Sequence, residues 1–185
     1  MGTLDARRLI FVDETGATIT MTRRRARAPV GERAVDVVPR NQGTRTTLVS
    51  ALGAAWIRAA MTLPGAINGA TFRAFVEQVL GPTLEPGQIV VLDNLSAHKV
   101  EGIAALIEAR GCHVLYLPAY SPDFAPIELA DARIKNALRR TAARTTEALE
   151  AAIAEALSRV TADHARAWFT HCGYRFPAQS LCSPL

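Results

Sequence analysis

The sequence QIVVLD at residues 88–93 is an uninterrupted apolar stretch that ends on an aspartate, and LIFVD at residues 9–13 repeats this arrangement near the start of the chain. Short apolar stretches rich in β-branched residues and bounded by turn residues are typical of strands buried in the middle of a sheet. In α/β folds the carboxyl ends of such strands meet at one edge, where ligands bind. The two segments therefore predict an α/β sheet with Asp13 and Asp93 at its functional edge.

The segments around these two strands predict a mixed sheet covered by helices. The first strand is expected to end in a turn at residues 13–16, and the alternating segment 17–22 is predicted to be its hairpin partner. Residues 46–55 are a third strand candidate, ambiguous with helix, and residues 57–63 and 113–117 are further candidates. Helices are predicted after Asn68 or Thr71, from about Ala97 to Arg110, from near Ile127 to about Arg140, and after Thr145 or Thr146.

Length and composition indicate one globular domain over residues 1–185, with C-terminal helices from about residue 145. Of its 185 residues, 49% are hydrophobic and 21% are charged, which excludes disordered and low-complexity classes. No stretch approaches the roughly 18 apolar residues that a membrane span needs, and the N-terminus does not resemble a signal peptide. The three cysteines form no paired motif and suggest reduced thiols. The expected location is the cytoplasm, with no membrane partner.

Charge is distributed unevenly along the chain. Residues 1–58 and 133–185 carry net charges of +5 and +4, whereas residues 59–132 carry −5. Basic flanks suit a polyanionic partner and an acidic centre suits a bound cation. Arginine greatly outnumbers lysine, which favours phosphate contacts but is also the outcome of simple codon bias, so this signal alone does not decide between the two.

A third carboxylate candidate is Glu128, in the first turn of the helix that follows the proline-rich loop 118–126. Two or three converging carboxylates are hard oxygen ligands that suit Mg²⁺ or Mn²⁺, and a pair of such ions can promote displacement at a phosphodiester. Taken singly, each residue has an ordinary alternative, because aspartates at strand ends often form turns and acidic residues in a first helical turn often complement the helix dipole.

The combination of motifs is more specific. Asp93 lies in VLDNLSAHK and Glu128 in LPAYSPDFAPIELADARIK, with 34 residues between the two acids. In these features the sequence resembles the DDE transposases of the mariner-like superfamily, specifically the bacterial insertion-sequence branch. The matching positions are Asp13, Asp93 and Glu128 for the acids, His98 and Lys99 after the second acid, and Tyr120, Ser121, Pro122, Pro126 and Ile127 before the third. The segment WFTHCGYR at residues 168–175 also resembles the closing helix of that family.

The resemblance implies a ribonuclease-H-like fold, with a five-stranded mixed sheet whose first three strands are antiparallel. It implies metal-dependent DNA cleavage and strand transfer in cut-and-paste transposition, with transposon ends and target DNA as partners and a possible homodimer on the DNA. The three acids would hold two Mg²⁺ or Mn²⁺ ions. Asp13 would contact both ions, Asp93 one of them and Glu128 the other. The helix-turn-helix region that precedes the catalytic domain in this family is not expected here, which suggests a separately encoded portion.

Two positions depart from the family pattern. Ala125 replaces the usual asparagine before the Pro-Ile-Glu motif, and Asp131 replaces a common tryptophan three residues after the glutamate. Asp131 lies on the same helical face as Glu128 and would either add negative charge near the ions or be solvated. Two alternatives to an active transposase domain remain: a nuclease of the same fold, and an inactive remnant that associates with DNA.

Several basic residues are candidate DNA contacts. Arg23, Arg24, Arg25 and Arg27 could follow a phosphate backbone, which is recognised electrostatically and without sequence preference, or could form a solvated loop. His98 could contact phosphate or could merely close the first turn of its helix. Lys99 and Lys135 complete the set of candidate contacts.

Overall fold

The computed structural model describes residues 5–94, 102–118 and 121–177. A five-stranded sheet consists of β1 (Leu9–Ala17), β2 (Thr46–Leu52), β3 (Ile57–Pro64), β4 (Ile89–Leu92) and β5 (His113–Tyr116). Their spatial order is β3-β2-β1-β4-β5. The first three strands pair antiparallel, and β4 and β5 continue the sheet in parallel. This is the mixed sheet that the sequence predicts.

Strand β1 is longer than predicted and lies at the centre of the sheet. Its first residues pair in parallel with β4, from Leu9 opposite Ile89 to Phe11 opposite Val91. On its other side it pairs with β2 as far as Ala17. The expected turn after Asp13 is therefore wrong, because β2 supplies backbone partners for four further residues. Asp13 lies within the strand, just past the point where the parallel partner ends.

The predicted hairpin strand at residues 17–22 is also wrong. Only Ala17 belongs to a strand, and the antiparallel partner of β1 is β2. The carbonyl oxygens of Ile19 and Met21 instead accept hydrogen bonds from Nη1 of Arg144, at 2.9 and 3.0 Å. Their side chains pack against a buried cluster of the C-terminal helices. The alternating pattern thus reflects contact with a helix layer and not pairing in the sheet.

In the part of the chain that the structure describes, five α-helices cover the sheet: α1 (Gly69–Ala74), α2 (Ile103–Glu108), α3 (Pro126–Thr141), α4 (Thr146–Ser158) and α5 (Ala162–His171). Helix α1 continues as a π-helical segment, Phe75–Leu80, and a 3₁₀ turn, Gly81–Thr83. Asn68 and Thr145 are the N-caps of α1 and α4, each accepting a backbone N–H, as their residue types favour. The predicted start of α2, near Ala97, lies outside the described residues.

Both faces of the sheet are buried. Successive side chains of the central strand β1 alternate between the two cores. Ile10 and Val12 belong to the core beneath α1 and α2. Leu9 and Phe11 belong to the core shared with α3 and α5. Because side chains alternate along a strand, Asp13 points to the same face as Leu9 and Phe11, towards α3. Within the described ranges, no helix combines the length and apolar character needed to cross a membrane.

Candidate active site

A pocket of about 470 Å³ opens at the edge of the sheet where the parallel strands end, and Asp13, Asp93 and Glu128 all line it. Asp13 comes from β1, Asp93 directly follows β4, and Glu128 lies in the first turn of α3. Three residues that are far apart in the sequence are thus brought to one cavity by the sheet order and by the packing of α3. The rest of the wall is largely apolar, with Phe11, Val91, Leu117 and Ile127 among its members.

Asp13 and Asp93 are partly buried, whereas Glu128 is exposed. The carboxyl group of Asp13 is held by the backbone. Its Oδ1 accepts a hydrogen bond from the Glu14 backbone N–H at 2.7 Å, which orients the carboxyl group. The pKa of Asp13 is nevertheless raised to about 7, first of all by burial. The negative charges of Glu128, Glu14 and Asp93 also contribute to this rise. Ionised Asp13 is therefore costly without a nearby cation, as expected for a carboxylate that shares a site with others.

Glu128 is positioned by the start of α3. Its backbone N–H donates to the Ala125 carbonyl at 3.0 Å, and Pro126 is the first helical residue. Ala125 is the N-cap but has no side chain that accepts a backbone N–H, and it is buried in the apolar core. An asparagine here would be a capping residue. The departure at position 125 thus removes a helix cap next to the pocket.

The oxygen ligands of the three acids are of the kind that suits divalent cations. Among the described residues, no three His, Cys, Asp or Glu side chains are placed so that they could hold one metal ion. The acids instead face a common cavity and raise the pKa of Asp13 through their charge. Which of the acids would contact which ion stays a prediction.

Asp131 is a fourth carboxyl group close to the site, and it is not solvated. It is 2% exposed, and its pKa is raised to about 8, first by burial and then by the Asp13 charge. The alternative that it is solvated is therefore wrong, and at neutral pH its raised pKa keeps it mainly protonated, so it adds a buried carboxyl group beside the acids and not a full negative charge. The position of Asp131 on the same helical face as Glu128 was predicted from the sequence, but its burial was not.

Two buried hydroxyl groups lie on the strands next to Asp13. Thr15 lies two residues after Asp13 on β1, and Ser50 is directly opposite Asp13 on β2. Within the described part of the chain, Thr15 Oγ1, Ser50 Oγ and Asp131 Oδ1 are buried without a hydrogen-bond partner. This polar cluster was not predicted from the sequence. Asp13 and Thr15 are two positions apart, however, and this spacing places both side chains on one face of a strand.

The other predicted site residues are distributed as follows. His98, Lys99 and Tyr120 lie outside the described residues, whereas Ser121 and Pro122 line the pocket. Arg23, Arg24 and Arg25 line a separate cavity against α3, and Arg27 is exposed in the same segment. Lys135 is half-buried, and its charge opposes the rise in the pKa of Asp131.

The chain is similar to a known protein family and to several solved structures. A family model described as DDE superfamily endonuclease matches residues 8–150. No curated protein matches the chain.

Among the solved structures that are similar to this chain, three illustrate the relationship. The Mos1 transposase paired-end complex with left transposon end is 20% identical, with a TM-score of 0.76 over 90% of this chain and 52% of that one. A pre-cleavage Mos1 transpososome is 19% identical, with a TM-score of 0.75 over 90% and 53%. The Mos1 transposase catalytic domain with raltegravir and Mg is 17% identical, with a TM-score of 0.63 over 90% and 78%. The chain spans about half the length of the first two, and the shared architecture is the ribonuclease-H-like fold.

Proposed function

Because this chain belongs to the DDE superfamily of endonucleases, we propose that it is the catalytic domain of a cut-and-paste transposase of an insertion sequence. The observation that carries the proposal is the single pocket lined by Asp13, Asp93 and Glu128. Water would attack a phosphodiester at the transposon end and release a 3′ hydroxyl group. That hydroxyl would then attack a phosphodiester of the target DNA.

The three acids would hold two Mg²⁺ or Mn²⁺ ions, Asp13 contacting both, Asp93 one and Glu128 the other. Ions bound there would activate the attacking oxygen and offset charge on the leaving oxygen. One of the similar structures is a Mos1 catalytic domain with Mg, which supports this choice. The raised pKa of Asp13 also supports a bound cation, because a nearby positive charge would remove the cost of ionising that carboxyl group.

The residues of the chain itself orient the acids and line one side of the pocket with apolar side chains. The Glu14 N–H fixes the Asp13 carboxyl group, and the first turn of α3 presents Glu128 to the pocket. Phe11, Val91 and Ile127 exclude water from one side, which strengthens electrostatic interactions within the site. Positioning of this kind contributes strongly to phosphoryl transfer.

The proposed partner is DNA, both transposon ends and target. Support comes from the similar structures that are named as complexes with transposon ends and from the exposed arginines at positions 23, 24, 25 and 27. We also propose a homodimer on the DNA, a cytoplasmic location, and a separately encoded helix-turn-helix portion that reads the ends. Base readout requires an element placed in a groove, and the described helices cover the sheet.

The decisive experiment is nicking of a supercoiled plasmid with Mn²⁺ or Mg²⁺, followed by an end-joining assay with a pre-cut transposon end. We expect metal-dependent nicking that Asp93→Asn abolishes. Nicking by Asp93→Asn at the wild-type rate would contradict the two-metal mechanism. Nicking without end joining would identify a nuclease of the same fold. The absence of both would identify an inactive remnant.

A further inference from the structure

A second feature of the surface lies along the outward side of α3. Two adjoining cavities, of about 740 and 510 Å³, share the residues Arg23, Arg24, Arg25, Arg139 and Arg140. Arg133 lines the larger one. These six residues, here called the arginine groove, come from two segments that are more than 100 positions apart in the sequence, so the groove exists only in the folded chain.

The charge of the arginine groove is poorly balanced by the chain itself. Among the described residues that line the two cavities, Asp36 is the only carboxylate. Asp36 accepts hydrogen bonds from the Thr22 hydroxyl and the Val37 N–H. The pKa of Arg139 is lowered, first by burial and then by the Arg24 charge. Six guanidinium groups facing one carboxylate leave a strong positive potential, which favours a polyanion.

The groove is joined to the candidate active site by α3. Glu128 lies in the first turn of this helix, and Arg133 and Arg140 follow on its exposed side. At 1.5 Å per residue, Arg140 is about 18 Å from Glu128 along the helix axis. A DNA strand advances about 3.4 Å per nucleotide, so this distance corresponds to roughly five base pairs. A duplex that runs along α3 with its cleaved bond in the pocket would reach the groove within one half turn.

We propose that the arginine groove binds the phosphate backbone of duplex DNA beside the cleaved bond, without reading its sequence. This inference rests on the proposed function for the location of the cut. Planar guanidinium groups suit paired contacts to phosphate oxygens, and contacts of this class position a duplex but carry no direct sequence information. The groove adds α3 arginines to the loop arginines that the sequence alone suggested.

The test is binding of a random-sequence duplex to the full chain in EDTA over a range of salt concentrations. Arg133→Gln combined with Arg140→Gln removes two exposed charges from the groove. Arg8→Gln combined with Arg73→Gln removes two exposed charges elsewhere and is the matched control. We expect the groove variant to bind every duplex more weakly, and the slope of log K against log salt to fall by about 1 for each arginine. The control should keep a slope closer to that of the wild type.

A second variant separates charge from packing. Arg133→Lys combined with Arg140→Lys keeps both charges, and it should retain most of the wild-type slope, whereas a loss caused by misfolding would not be rescued. Equal slopes for the groove variant and the wild type would overturn the proposal. A groove variant that changes the sedimentation of the free protein but not its DNA binding would also overturn it, and would indicate an acidic surface of a second copy.

The assay keeps the two proposals distinguishable because binding in EDTA requires no chemistry. If the wild type binds through the groove but never nicks DNA with Mn²⁺, the groove stands and the catalytic function fails. If nicking depends on Asp93 while the groove variant binds as well as the wild type, the catalytic function stands and the groove fails.

Discussion

The charge of Asp13 on β1 is the largest electrostatic contribution to the raised pKa of Asp131 on α3, after the effect of burial. A carboxyl group that is 2% exposed thus borders the acids proposed to hold metal. Burial of an ionised carboxylate is unfavourable, and the Lys135 charge and the Thr15 side chain offset only part of that cost at Asp131. This relationship has direct consequences for stability in the absence of metal.

We expect the metal-free protein to lose stability as the pH rises. The pKa values of Asp13 and Asp131 are about 7 and about 8 in the folded chain, against the ordinary aspartate value of 3.8. The folded state therefore retains protons that the unfolded state has released. The resulting stabilisation is complete below pH 3.8 and is lost as the pH rises through the folded values. Urea unfolding in EDTA at pH 5.5 and 8.5 should show a decrease of a few kcal/mol.

The variant Asp131→Asn should flatten this pH dependence, because it removes one of the two groups and keeps a similar shape. Its free energy of unfolding should exceed that of the wild type at pH 8.5 and differ less at pH 5.5. An unchanged difference between the two pH values would show that Asp131 ionises as freely in the folded chain as in the unfolded one.

Divalent metal should stabilise the wild-type fold. A ligand that binds only the folded state raises its stability by about 2.7 kcal/mol at a concentration of 100 times its dissociation constant. Asp93→Asn should abolish most of this effect, and its apo form should be at least as stable as wild type because it has less carboxylate repulsion. Thermal unfolding with and without Mn²⁺ measures both. Asp123→Asn, an exposed change near the pocket, should keep the metal effect, and a similar loss in both variants would contradict the ligand assignment.

Two hydroxyl groups on β2 should respond differently to removal. Ser50 is 1% exposed and its Oγ has no partner among the described residues, so Ser50→Ala should leave the free energy of unfolding unchanged or raise it. Thr47 donates to the Gly65 carbonyl, so Thr47→Val should lower it by about 1 kcal/mol. Chemical denaturation of the two variants provides the comparison. A large loss for Ser50→Ala would mean that its hydroxyl is hydrogen-bonded in solution.

Restoring a cap at the start of α3 should stabilise the chain. Ala125→Asn places a side chain that can accept a backbone N–H of the first turn, which is worth about 1 kcal/mol at an N-cap. Ala125→Val adds volume but no acceptor and is the control. The midpoint of urea unfolding should rise for asparagine alone. If both variants lower it equally, the buried site at position 125 lacks room for any larger side chain.

The chain by itself should show little preference for transposon ends. Contacts to phosphate dominate its proposed DNA binding, so affinity should fall steeply with salt and differ little between end-containing and scrambled duplexes. Adding a helix-turn-helix portion, fused or in trans, should restore the preference. A hundredfold preference of the chain alone, about 2.7 kcal/mol, would reveal a base-reading element within it.

Sequence reasoning succeeded where a local pattern determines the structure. The apolar stretches before Asp13 and Asp93 form neighbouring parallel strands. Asn68 and Thr145 are the helix caps that their residue types predict. It failed where the partner of a segment decides the outcome. The alternation at Ile19 and Met21 has the period of a strand, but Arg144 takes up the carbonyl groups that a neighbouring strand would otherwise bond.

What the sequence by itself determined is most of the strands and helices and the three candidate acids, because periodicity, capping residues and motif spacing are local properties of the chain. Only the tertiary structure decided that β1 continues past Asp13, that Asp131 is buried, and that Arg23 to Arg25 meet the arginines of α3. Each of these depends on which surface packs against which. Burial and electrostatic potential are sums over residues distant in sequence, so no local pattern contains them.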